Sequence, residues 1–216
     1  MYVHSIHPFL ISVGKPITIA DGATTPIKWW CKDLDLTEDD RFVLMDNKWL
    51  SDKHMSAAAN LLKIQFPESQ GFQSTITETL APAMSDPYYQ FHFYNSHWCA
   101  SWIRDGTVSL CNSLLNTQAE LPEPLCIQLQ QLYGQQAKSM NVLPVQQQKG
   151  GTDCGCFAIA FAVSAILGEN PSHHIYKQAK MREHLAMCFE QGFFVPFPST
   201  LKRTRSGYSV DMTFTK

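Results

Sequence analysis

A chain of 216 residues with 44% hydrophobic, 12% aromatic and 17% charged residues carries enough apolar material for one substantial core. A net charge of −2 argues against a broad nucleic-acid surface, and no apolar run reaches the length of a membrane span. The start, Met1–Pro8, lacks the basic-then-apolar pattern of a secretory leader. Seven cysteines in an odd, frameless spacing fit a reducing intracellular compartment, nucleus or cytoplasm.

Residues 1–30 read as short strands broken by Gly14, Pro16, Gly22 and Pro26, and the acidic stretch Asp33–Asp40 reads as a connector. Trp49-Leu50-Ser51-Asp52 opens a helix in which Met55, Ala58, Ala59 and Leu62 form an apolar stripe, with Ser51 or Asp52 as cap and Pro67 as stop. Phe72–Leu80 is mixed. Phe91–Ile103 and Thr107–Leu110 alternate as strands do, joined by Asp105-Gly106, the strongest short hairpin signal in the chain. Leu121–Ala137 predicts a helix and Val142–Val145 a short strand. Cys154–Leu167 predicts an apolar helix ended by Gly168, and Lys177–Glu190 a final amphipathic helix. The order of elements predicts an α+β domain around one mixed sheet. The basic run Lys202-Arg203-Thr204-Arg205 reads as a solvated tail.

Chemistry enters at Gly150-Gly151-Thr152-Asp153-Cys154-Gly155. A cysteine at the first turn of a helix feels the positive end of the helix dipole, which favours the thiolate nucleophile. The hairpin adds a second constraint. A two-residue Asp105-Gly106 loop pairs Arg104 with Thr107, and continuing that register sets Asn112 opposite Cys99, diagonal to His97 on the same face. A cysteine protease needs a thiol, an imidazole to move its proton, and a third group to hold the ring in the useful tautomer. Cys154, His97 and Asn112 supply those types. The Cys154 N–H is one oxyanion donor. A side-chain amide just upstream is a second, and spacing alone does not choose among Gln146, Gln147 and Gln148. Cys154-x-Cys156 with His173-His174 matches no common zinc spacing, so no metal or other cofactor is expected.

Together, Trp49-Leu50-Ser51-Asp52, His97-Trp98, Asn112-Ser113-Leu114 and Gln148 through Asp153-Cys154-Gly155 resemble the motifs of the ubiquitin-like-protein-specific (Ulp/SENP) cysteine proteases. The resemblance spans residues 33–198, leaving 1–32 as an N-terminal extension and 199–216 as a tail. It implies a papain-like, adenain-like fold with the nucleophile at the N-terminus of a buried helix. It also implies Cys154 as nucleophile, His97 as base, Asn112 as orienting residue and Gln148 in the oxyanion hole. Trp49 and Trp98 become a lid over a Gly-Gly tail. The chain departs from the family pattern at Asn112, where most members have Asp, and at Ser51, where the motif has Asn.

The resemblance implies a monomeric peptidase that cuts after the C-terminal Gly-Gly of a ubiquitin-like modifier, SUMO first, with ubiquitin or NEDD8 as alternatives. Asp52, with Asp46 and Asp86, is a candidate acidic approach for the arginine-bearing tail of ubiquitin. A modifier-binding module without turnover and an acyltransferase on the same scaffold are the competing functions. The abrupt start raises the expectation that the domain belongs to a longer protein.

Overall fold

The computed structural model describes residues 26–75, 79–115 and 120–202 and the backbone of 208–210. The strands expected before residue 26 lie outside those residues. The chain runs β1 (Trp29–Cys31), β2 (Leu36–Thr37), α1 (Glu38–Met45), α2 (Asp52–Gln65), β3 (Gln70–Gly71), β4 (Tyr88–Tyr94), β5 (His97–Arg104), β6 (Thr107–Cys111) and α3 (Glu123–Tyr133). It continues through β7 (Ser139–Val142), α4 (Cys154–Ile166), β8 (His174–Tyr176), α5 (Gln178–Gln191), β9 (Ser199–Leu201) and β10 (Tyr208–Val210). No described helix is long and apolar enough to cross a membrane.

The central sheet has the order β10-β7-β6-β5-β4-β3, with β3–β4 and β6–β7 parallel and the remaining pairs antiparallel. It is the mixed sheet that the order of elements predicts. Side chains alternate across it. Tyr89, Phe91, Trp98, Ala100 and Trp102 join α4, α2 and α5 in the larger core. Tyr88, Tyr94, Cys99, Ile103, Val108 and Leu110 pack with Leu125, Leu129 and Leu132 of α3 in a second core. α4 is buried from Cys154 to Ala165, which explains a sequence apolar on every side.

Several boundaries differ from the sequence reading. The stretch taken as a connector contains α1. Thr37 caps it, accepting from the Asp40 N–H while the Asp40 carboxylate accepts from the Thr37 N–H at 2.8 Å. The long strand read from Phe91 to Ile103 is two strands, turned at Asn95 and Ser96, whose φ values are 44° and 59°. β7 lies three residues earlier than expected. Segments assigned to the extension and the tail contribute strands: β1 pairs with β2, β9 with β8 and β10 with β7. Trp30 packs edge-on against Phe189 of α5. Lys202 donates to the Pro144 carbonyl, while Arg203, Thr204 and Arg205 lie outside the described residues.

Candidate active site

The β5–β6 hairpin keeps the expected register from Arg104↔Thr107 to Ala100↔Cys111. Asp105 and Gly106 both have positive φ, 54° and 74°, as a primed two-residue turn requires. The Asp86 carboxylate accepts both turn N–H groups, at 3.0 and 2.9 Å. Asp86 is therefore committed at the far end of β5 from His97 and does not form an acidic approach to the cleft. That correction follows from the turn's two unpaired donors, which its carboxylate satisfies.

Beyond the last ladder pair, His97 Nε2 and Asn112 Oδ1 meet at 2.8 Å, and both side chains are buried. Asn112 Oδ1 also accepts from the backbone N–H groups of Leu114 and Leu115, at 2.9 and 3.0 Å. Those groups can only donate, so the oxygen must face them. His97 must then carry its proton on Nε2 and leave Nδ1 as a bare acceptor. Nδ1 is buried and has no hydrogen-bond partner within the protein.

Cys154 opens α4, and its thiol is met by the backbone N–H groups of Trp98, Gly155 and Cys154 itself. The Trp98 contact sets the sulfur against the residue that follows His97. Asp153 is the N-cap residue, yet its carboxylate makes no cap bond. It turns instead to Arg182 Nε at 2.7 Å and Gln178 Nε2 at 2.6 Å. The first N–H groups of α4 thus remain free of a competing carboxylate. Gly155 is required by close approach: a Cβ there would stand 2.9 Å from Leu50 Cβ.

Burial is the largest influence on both the Cys154 thiol and the His97 imidazole. It lifts the Cys154 thiol above its ordinary range against the pull of the three N–H groups, and it lowers the His97 imidazole against its bond to Asn112. The N–H groups at the helix start do favour the thiolate, and burial opposes them. Cys156 is fully buried, with its thiol pushed up to about 12.

Among the three glutamines, the amides of Gln146 and Gln147 are turned to the backbone of Tyr176, Asn112 and Val145. Gln148 is held by the Ser113 hydroxyl, which donates to its Oε1 at 2.7 Å. Its Nε2 donates to the Gly150 carbonyl with one of its two hydrogens. The two tryptophans are placed differently. Trp49 is 56% exposed and donates to the Gly151 carbonyl at 2.8 Å, while Trp98 is 4% exposed, within the core, and donates to the Leu50 carbonyl at 2.9 Å. Asp52 is exposed at the first position of α2. Ser51 hydrogen-bonds the buried His54 ring at 2.9 Å and so secures the start of α2.

Tyr94, Arg182 and Gln178 escaped the sequence reading. Tyr94 Oη accepts the Asn112 Nδ2–H. Arg182 is nearly buried and ties Asp153 to the carbonyls of Thr152 and Leu44, each at 2.8 Å. No local pattern marks these residues, since their partners come from distant segments. Among the described residues, no group of three or more His, Cys, Asp and Glu side chains is placed to hold a metal ion. A groove of about 950 Å³ lies behind the loop before Cys154, walled by Lys149, Asp153, Tyr176, Lys177 and Gln178.

No family profile and no curated protein matches the chain by sequence. Solved structures do match. The SUMO protease Ulp1, with its catalytic cysteine oxidized to a sulfinic acid, superimposes with a TM-score of 0.62 at 18% identity, over 78% of this chain and 90% of that one. The sulfonic acid form gives 0.60 at 19%, over 74% and 85%. The C-terminal Ulp1 protease domain in complex with Smt3, the yeast ortholog of SUMO, gives 0.57 at 19%, over 73% and 83%. The chain has the α+β, papain-like fold of these protease domains.

Proposed function

We propose that the chain is a thiol peptidase of the Ulp/SENP family that hydrolyses the bond after the C-terminal Gly-Gly of a ubiquitin-like modifier. The observation that carries this reading is the His97–Asn112 hydrogen bond, which leaves Nδ1 buried and unpartnered, while the Cys154 thiol at the start of α4 meets the backbone of Trp98, the residue after His97. In this reading Cys154 attacks the scissile carbonyl while its proton passes to His97 Nδ1. The oxyanion takes hydrogen bonds from the Cys154 N–H and the second Nε2–H of Gln148. The imidazolium, steadied through Nε2–H by Asn112, returns its proton to the leaving amine, and water then releases the acyl-enzyme.

Trp49, exposed above Gly151, is the wall that would exclude any side chain from the tail's last two residues. SUMO ranks first among the modifiers. The fold is that of Ulp1 domains, one of which is seen with Smt3, and Asp86 is withdrawn from the acidic approach that would favour ubiquitin. Ubiquitin and NEDD8 remain the alternatives.

The test is incubation with SUMO, ubiquitin and NEDD8 carrying a C-terminal electrophile, followed by intact mass and peptide mapping. Labelling of Cys154 by the SUMO probe, absent in Cys154→Ala, is expected, with turnover lost by about 10⁴-fold or more in that variant. Binding of modifier with no adduct would replace the peptidase by a modifier-binding module.

A further inference from the structure

We propose that Tyr94 is a positioning residue of this site, its hydroxyl accepting the Asn112 Nδ2–H and so holding and polarising the amide that orients His97. The inference rests on the reading of Cys154 and His97 as nucleophile and base. Asn112 is buried, and an amide at that place needs two kinds of partner: donors for Oδ1 and an acceptor for Nδ2. The Leu114 and Leu115 N–H groups meet the first need. Tyr94 Oη, 2.5 Å from Nδ2, meets the second. The same ring stands edge-on to the imidazole, with centroids 5.6 Å apart and planes at 80°.

The bond matters because Asn112 is a neutral partner, and an amide steadies an imidazolium less than a carboxylate would. Among the described residues, the titratable groups that bear on this corner are Tyr94 on β4, Cys99 on β5 and Cys154 with its neighbour Asp153 at the start of α4; burial raises the first three, and the Asp153 carboxylate is bound to Arg182. A hydrogen bond given by Nδ2 withdraws positive charge from the amide and makes Oδ1 a better acceptor for His97. A phenol oxygen accepts as readily as it donates. Were residue 112 an aspartate, the same hydroxyl would donate to the carboxylate and draw charge away from the imidazole. Tyr94 therefore helps His97 with an amide at 112 and hinders it with a carboxylate.

A double-mutant cycle over Tyr94→Phe and Asn112→Asp tests this reversal, reading the His97 pKa by NMR titration and the pH profile of cleavage. With Asn112 present, Tyr94→Phe should lower kcat about fivefold at unchanged KM and move the His97 pKa down. With Asn112→Asp already made, the same substitution should move that pKa up. Shifts of one sign in both backgrounds, or none in either, overturn the proposal. The NMR titration needs no turnover. A failure to react with any modifier probe would refute the peptidase reading, and the sign of the shifts would still decide the role of Tyr94.

Discussion

Arg182 grips Asp153 through Nε at 2.7 Å, and with its other two nitrogens it holds the carbonyls of Leu44 and Thr152. One guanidinium thus joins α1, α5 and the loop before Cys154. A planar fork with donors in three directions is a service that lysine cannot supply.

Arg182→Met should therefore leave the partly buried Asp153 carboxylate with only Gln178 as partner and the Leu44 and Thr152 carbonyls without theirs, and lower stability by about 2–4 kcal/mol. Arg182→Lys should recover only part of the loss. Urea denaturation of both variants measures this, and full rescue by lysine would show that charge alone, rather than the fork, secures the loop.

The two tryptophans should separate. Trp98→Ala should cost about 3–5 kcal/mol of folding free energy, because it opens a cavity between Leu50 and Phe93. Trp49→Ala, at a half-exposed position, should barely move the melting temperature yet depress cleavage of modifier substrates at least tenfold. A large drop in the Trp49→Ala melt would show that its tie to Gly151 matters more to folding than to the substrate.

The pH profile follows from two opposed shifts. His97 lies below its ordinary 6.5, so its protonation, which on the proposed mechanism removes the base, is confined to acid conditions. Cys154 lies above its ordinary 9.0, so loss of the thiol proton waits for alkaline ones. The rate should hold a broad plateau between these limits. Asn112→Asp adds a negative partner, raises the imidazole, and should move the acid limb to higher pH. An unmoved acid limb in both Asn112→Asp and Asn112→Ala would remove Asn112 from the mechanism.

Much of this site is legible in the sequence because local rules specify it. The Asp105-Gly106 turn sets a register, and the register delivers His97 to Asn112. Cys154 is marked by glycines, an acid and the apolar helix behind it. What stayed hidden depends on partners far along the chain. Arg182 lies 29 residues beyond Asp153 with nothing nearby to signal the pairing. The turn at Asn95-Ser96 adopts the same left-handed backbone as Asp105-Gly106 without a glycine to announce it. α1 hides within an acidic run because its cap uses Asp40 where the usual capping pattern has Glu or Gln.

A second pH effect concerns the fold. His92 is buried between Gln128, 2.9 Å from Nδ1, and Ser101, 2.6 Å from Nε2, and burial depresses its pKa to about 4. An unfolded histidine titrates near 6.5, so the unfolded chain binds the extra proton between those values. The stability due to the neutral ring is complete above pH 6.5 and is lost as pH falls toward 4, by about 3 kcal/mol. Urea midpoints at pH 7 and pH 5 should show the decline, and His92→Gln should flatten it. An equal slope in that variant would assign the acid sensitivity to other groups.

The hairpin clamped by Asp86 also sets a tolerance. Side chains on a strand alternate faces at every residue, so adding or deleting one residue between Ile103 and Val108 would turn Asn112 to the opposite side of the sheet. His97 would keep its place and lose its partner. Surface loops ordinarily absorb changes of length at small cost. Here a bend on the rim, eight residues from the imidazole by way of β5, behaves as a gauge whose length in whole residues decides whether the two groups can touch.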